Sequence, residues 1–162
     1  MRLDAPGTRG GWLLVLLVLM TRACAADLEV KATPNTSHLM PYQVFEITFQ
    51  HLGKYENPTW DVTIEATFIP PDAESVQNER ERRIAVGGFF YGSSKPQTPV
   101  IRKVKRDQRE AEVADWPCDP ADLWKVRFAP CTLRPGALGR WTYRWVFRNN
   151  RGEQAAGEGQ FE

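Results

Sequence analysis

A two-residue period of hydrophobicity constrains this chain more than anything else in it. A strand with one buried face alternates apolar and polar side chains, whereas a helix repeats at 3.6 residues. The cleanest run is Trp60-Asp-Val62-Thr-Ile64-Glu-Ala66-Thr-Phe68, apolar at every even position. Trp124-Lys-Val126-Arg127-Phe128 and Trp141-Thr-Tyr143-Arg-Trp145-Val-Phe147 repeat it, and Phe45, Ile47 and Phe49 carry a weaker copy. Leu28 to Thr33, Arg83 to Tyr91, Val100 to Lys105 and Gly157 to Phe161 read as further strands. Turn-forming residues separate the runs, among them Asn57-Pro58, Pro70-Pro71-Asp72, Gly87-Gly88, Pro135-Gly136 and Asn149-Asn150-Arg-Gly152. No segment sustains apolar spacings of three and four. Ala73 to Arg83 is almost wholly polar and reads as a loop or a short solvated turn. Seven or eight short strands without helices predict an all-β chain folded as an antiparallel β-sandwich.

The first 26 residues read differently. Arg2 and Arg9 precede an apolar run from Trp12 to Met20, and Ala23-Cys24-Ala25-Ala26 supplies a small-residue exit. That is the pattern of a secretory signal peptide, and its apolar run is far short of the roughly 20 residues a membrane-spanning helix needs. The expectation is therefore a signal over 1–26 and one domain over 27–162, exported to the periplasm or outside the cell, with no stable membrane insertion after cleavage. The signal carries Arg2, Arg9, Arg22 and Asp4, a net +2, and the whole chain is +1, so the remainder is −1. A near-neutral domain is not built to grip nucleic acid by bulk charge. Removing 26 of 162 residues leaves about 136, enough for one core and too few for a (β/α)8 barrel, which typically takes roughly 250. Cys118 and Cys131 remain after cleavage. An exported pair permits a disulfide, and two reduced thiols are equally open.

No catalytic constellation stands out. His38 and His51 lack metal-ligand spacing, no nucleophile elbow or phosphate-binding loop is present, and Asp61 and Glu65 lie about 13 Å apart along one strand. The expectation is no enzyme activity, no cofactor and no metal. Two carboxylates, Asp119 and Asp122, are few for calcium. Ser93 to Asp122 is a long connection with a basic cluster, Arg102-Lys103-Lys105-Arg106, which reads as an anion or polysaccharide contact or as a charged strand edge that resists aggregation. Among the aromatics, Trp60, Trp124, Trp141 and Trp145 fall in phase with apolar neighbours and read as core. Trp116 has no alternating partners. With Tyr91 and Phe90 behind it, Trp116 is the residue most suited to a flat platform for a sugar ring.

Four motifs occur in order: Asn57-Pro58-Thr-Trp60-Asp-Val62 running on to Pro70-Pro71, then Gly88-Phe89-Phe90-Tyr91-Gly92, then Trp124-Lys-Val126-Arg127-Phe128-Ala-Pro130, then Pro135-Gly136-Ala-Leu-Gly139-Arg-Trp141-Thr-Tyr143, closing with Gly157-Glu-Gly159-Gln-Phe161. Physically, Asn57-Pro58 starts a strand and Pro130 stops one. Gly139-Arg-Trp141-Thr-Tyr143 marks a corner between sheets, with an aromatic in the place of a tyrosine corner. Over roughly residues 28 to 162 the set resembles the immunoglobulin-like domain of unknown function that stands ahead of the catalytic (β/α)8 barrel in many secreted bacterial glycoside hydrolases. The resemblance implies an immunoglobulin-like sandwich and a non-catalytic accessory role. It also implies a fragment lacking its barrel, with that barrel or a polysaccharide as partner. A free-standing carbohydrate-binding module, or a structural or adhesion module binding a protein, is the alternative.

Overall fold

The computed structural model describes residues 28–106, 109–130 and 135–162. The signal peptide expected over 1–26, and Cys131, lie outside the described residues. Among the described residues the protein is all-β, with ten strands in antiparallel sheets and almost no helix. The strands are β1 (Lys31–Pro34), β2 (Phe45–Gln50), β3 (Val62–Ile69), β4 (Ile84–Gly87), β5 (Phe89–Gly92), β6 (Val100–Arg106), β7 (Arg109–Asp115), β8 (Leu123–Phe128), β9 (Trp141–Asn149) and β10 (Gln154–Phe161). One four-stranded sheet runs β1-β2-β8-β5, a second runs β10-β9-β3-β4, and β6 pairs with β7 as a separate two-stranded ribbon.

The alternating side chains set which face each sheet buries. Phe45, Ile47 and Phe49 of β2 and Trp124, Val126 and Phe128 of β8 point inward from the first sheet. Val62, Ile64, Ala66 and Phe68 of β3 meet them with Trp141, Tyr143, Trp145 and Phe147 of β9 from the second. The two faces share one core, so the arrangement is sandwich-like. Phe68 stacks on Phe128 with ring centres 4.1 Å apart, and Phe45 stacks on Phe161 at the same distance. Phe49 meets Trp145 edge-on at 5.1 Å. Ring pairs of this kind add to the area they bury. The small residues of β10 make room for this packing. Gly157 and Gly159 lie opposite Trp145 and Tyr143, and a Cβ on Gly157 would stand 2.6 Å from the Trp145 ring.

The chain crosses between the two four-stranded sheets in three places. Asn57 to Asp61 is a turn in which the Asn57 carbonyl accepts from Trp60 and Asp61 N–H (3.0 and 2.8 Å) and the Asn57 N–H donates to Asp61 Oδ2 (2.9 Å). The sheets exchange again at Gly88, between β4 and β5, and a third time between Phe128 and Trp141. The turn at Asn57 corrects one expectation. Trp60 is not a core residue at the head of β3: it is 81% exposed, because the turn ends only at Asp61 and pairing begins at Val62. Trp124 fills the core near that turn and donates its Nε1–H to the Pro58 carbonyl at 3.0 Å.

Two elements differ from the sequence pattern. Ser93 to Asp122 contains a regular hairpin, β6–β7, where mostly unstructured chain was expected beyond Lys105. Its β7 strand, Arg109–Asp115, has no apolar alternation because six of its seven residues are exposed. Cross-strand pairs of opposite charge, such as Lys105–Glu110 at 3.8 Å, stand where a buried strand would carry packing. Within Ala73 to Arg83, Asn78 caps a single helical turn, Glu79–Arg82, by accepting from the Arg80 N–H at 3.1 Å.

Candidate functional site

Strand β5 is where the sheet exchange has chemical consequences. Gly88 sits against Ile64, and a Cβ there would come within 2.7 Å of the Ile64 Cβ. The chain leaves this contact with Phe89 outward, Phe90 inward and Tyr91 outward. Phe90 is therefore not a platform residue. It packs edge-on against Trp124 with ring centres 5.6 Å apart. Phe89 and Tyr91 lie on the outer face of the β1-β2-β8-β5 sheet, beside the outward residues of β8. Lys125 Nζ stands 3.8 Å over the Tyr91 ring, and the Arg127 guanidinium lies 5.6 Å from the Phe89 ring.

Glu46 of β2 joins the two cations. Its Oε1 pairs with Lys125 Nζ and its Oε2 with Arg127 Nε, both at 2.6 Å. Burial raises the Glu46 pKa, but the hydrogen bonds from Lys125 and Arg127, with their charges, outweigh it and leave the carboxyl below its ordinary range. Lys125 is mostly covered, while Arg127 stays half exposed. Its two Nη nitrogens have no acceptor among the described residues. The result is a flat face where two aromatic rings flank two cations that share one carboxylate.

Trp116 follows β7 and is 66% exposed. Its loop passes the end of β5, where a Cβ on Gly92 would lie 3.8 Å from Cys118 Sγ. Cys118 itself is exposed and has no disulfide partner among the described residues. Atoms crowding the sulfur, then the charges of Asp122 and Asp119, raise its pKa and disfavour the reactive thiolate. Asp122 is fully buried and accepts from the Ser94 N–H at 2.7 Å, from the Ser94 hydroxyl, and from Gln50 Nε2 at 3.1 Å. Burial raises its pKa, and these hydrogen bonds reverse the effect and leave it lowered. With its lone pairs taken up by donors, Asp122 is a tether for the ribbon loop. Among the described residues no three His, Cys, Asp or Glu side chains gather as a metal site, and no helix is long and apolar enough to cross a membrane.

A second surface had no sequence signal. At the end of the molecule where β10 finishes, Met40, Tyr42 and Leu138 stand exposed around a groove floored by Trp141 and Phe161. Tyr42 is 88% exposed and holds a left-handed backbone, φ 69°, in a turn closed by Gln43 N–H to Met40 O at 3.1 Å. A bulky residue in that conformation costs energy that glycine would not. Glu162 lies beside the groove, donating its N–H to Ser37 O at 2.9 Å and accepting from the Leu39 N–H at 2.6 Å. Met40, Tyr42 and Leu138 fall in turns, so neither period marks them.

Residues 38–148 match a family described as a domain of unknown function (DUF5060). No curated protein and no solved structure matches the chain.

Proposed function

This chain belongs to the family described as a domain of unknown function (DUF5060), and from that premise we propose that it is a non-catalytic accessory domain of a secreted, glycoside hydrolase-like protein. In this reading the two sheets form an immunoglobulin-like sandwich, residues 1–26 are a signal peptide, and the domain packs against the catalytic (β/α)8 domain of its parent. The order of the four sequence motifs supports the family setting.

The observation that carries the docking role is the apolar end. Isolated exposed apolar residues are ordinary, but a cluster around a groove marks an interaction surface. Met40, Tyr42 and Leu138 form such a cluster beside Glu162. The strained turn at Tyr42 holds a large ring out in solvent, which is costly for a free domain and useful for one covered by a partner.

The test has two parts. The gene is read in frame past codon 162, and the encoded protein is then studied by hydrogen exchange and thermal unfolding. An in-frame barrel, with residues 39–43 and 137–139 protected from exchange, supports the reading. Tyr42→Asp with Leu138→Asp should then split one joint unfolding transition into two. A stop codon at that point, or full exchange of both turns beside an attached barrel, overturns it.

A further inference from the structure

We propose that the outer face of the β1-β2-β8-β5 sheet binds an anionic polysaccharide, a glycan bearing uronate or sulfate groups, across Phe89, Tyr91 and Arg127. The inference rests on the carbohydrate-active setting proposed above and assigns a ligand class to a surface remote in role from the apolar end.

Three observations lead to it. Phe89 and Tyr91 are two positions apart on one strand, so their Cα atoms lie about 6.6 Å apart along it and both side chains stand on an exposed face. Rings placed like this offer flat apolar surfaces to a pyranose while the sugar hydroxyls keep their water. Secondly, the charge on the face does not close. Lys125 and Arg127 bring two positive charges against the single carboxylate of Glu46, leaving one without an ion-pair partner among the described residues. Thirdly, the two cations are not equivalent. Lys125 is covered by Glu46 and Tyr91 and so holds the edge strand to the sheet. Arg127 engages Glu46 through Nε alone and keeps both Nη nitrogens without an acceptor among the described residues.

A guanidinium fork beside an aromatic ring fits a planar carboxylate or a sulfate by paired hydrogen bonds, which a neutral sugar cannot return in kind. One surplus charge is too little for a phosphate-dense nucleic acid, whose binding depends on many neutralised phosphates. It suits a polymer with charges spaced one to a sugar. The outer edge of β5 pairs with no strand among the described residues, so a long glycan can continue past it toward the loop carrying Trp116.

The experiment is affinity electrophoresis of the protein through gels holding polygalacturonate, its neutral methyl ester, dextran sulfate, or dextran. Retardation by either charged polymer and not by its neutral counterpart is expected, and the two charged gels separate uronate from sulfate. Arg127→Gln should weaken binding about tenfold, the scale of one charge-assisted hydrogen bond. Phe89→Ala should weaken it several-fold, and Arg127→Lys should restore part of the loss. Arg102→Gln with Lys103→Gln, on the ribbon, should bind like the parent protein. Thermal unfolding of each variant checks that it is folded, and Phe89→Ala and Arg127→Gln each carry the test alone. Several results overturn the proposal: no retardation by either charged polymer, equal retardation by the neutral ones, loss through the ribbon variant, or indifference to both Phe89→Ala and Arg127→Gln. None of these touches the docking test at Tyr42 and Leu138, so the two readings fail separately.

Discussion

Asp122 shows how one buried side chain can hold a long excursion of chain in place. Its carboxylate takes hydrogen bonds from Ser94 and Gln50, tying the start of the 93–122 connection to β2. Removing such an acceptor deletes three hydrogen bonds made by part-buried donors to a buried carboxylate, a loss of about 1–3 kcal/mol. Asp122→Ala should therefore lower the stability measured by urea unfolding at pH 7 by about that amount. The pH dependence has a definite sign. The folded pKa lies below the ordinary value of about 3.9, so the stabilisation is complete above that pH and is lost as the pH falls through the folded value. Glu46 behaves in the same way. Wild-type stability should thus drop on acidification below about pH 4, and the gap to Asp122→Ala should narrow there. Equal gaps at pH 7 and pH 3 would count against the assignment. In the sequence, Asp122 is one of two loop carboxylates, too few for calcium and without an evident role, because nothing local reveals that Ser94 and Gln50 converge on it. Asn35 is a similar case. It heads a glycosylation sequon, yet its amide nitrogen donates to Val44 O and its Oδ1 accepts from the Glu46 N–H, at 3.0 and 2.9 Å.

At the scale of elements, strands with one buried face were legible and strands with none were not. The patterns around β2, β3, β8 and β9 match their buried faces closely, since burial imposes the period. β7 was missed because neither of its faces is buried. A ribbon with so little packing adds little to the stability of the body. Replacing residues 100–115 by a short Gly-Ser turn should shift the melting temperature by less than about 4 °C, the equivalent of about 1 kcal/mol. Amides of β6 and β7 should also exchange well before those of β2 and β9. The switch between β4 and β5 is the opposite case, short and intolerant. Gly88→Ala would push a methyl onto Ile64 and Val126, and should cost about 1–3 kcal/mol in urea unfolding. Gly87→Ala, with open space around its Cβ, should cost less.

Across the whole molecule, aromatic rings from both sheets interlock. Phe68 of β3 stacks on Phe128 and also meets Phe45, Tyr143 and Phe161. Phe68→Ala should cost about 3–5 kcal/mol, and the two sheets should unfold in one transition by both circular dichroism and tryptophan fluorescence. Separate transitions would mean separate cores. The sequence by itself determined the all-β class, the inward residues of the main strands and most of the turns, because periodicity and turn chemistry act over a few neighbouring residues. It also marked Trp116 and Tyr91 as aromatic residues outside the core. Only the tertiary structure decided that Phe90 turns inward, that Trp60 projects from a turn, and that Phe89 joins Tyr91 on one face with Glu46, Lys125 and Arg127. Glu46 and Arg127 are 81 residues apart in sequence. They meet because β2 and β8 pair in a register that sets Glu46 opposite Arg127. Register between distant strands follows from how the shared core closes, and no local pattern in the chain encodes it.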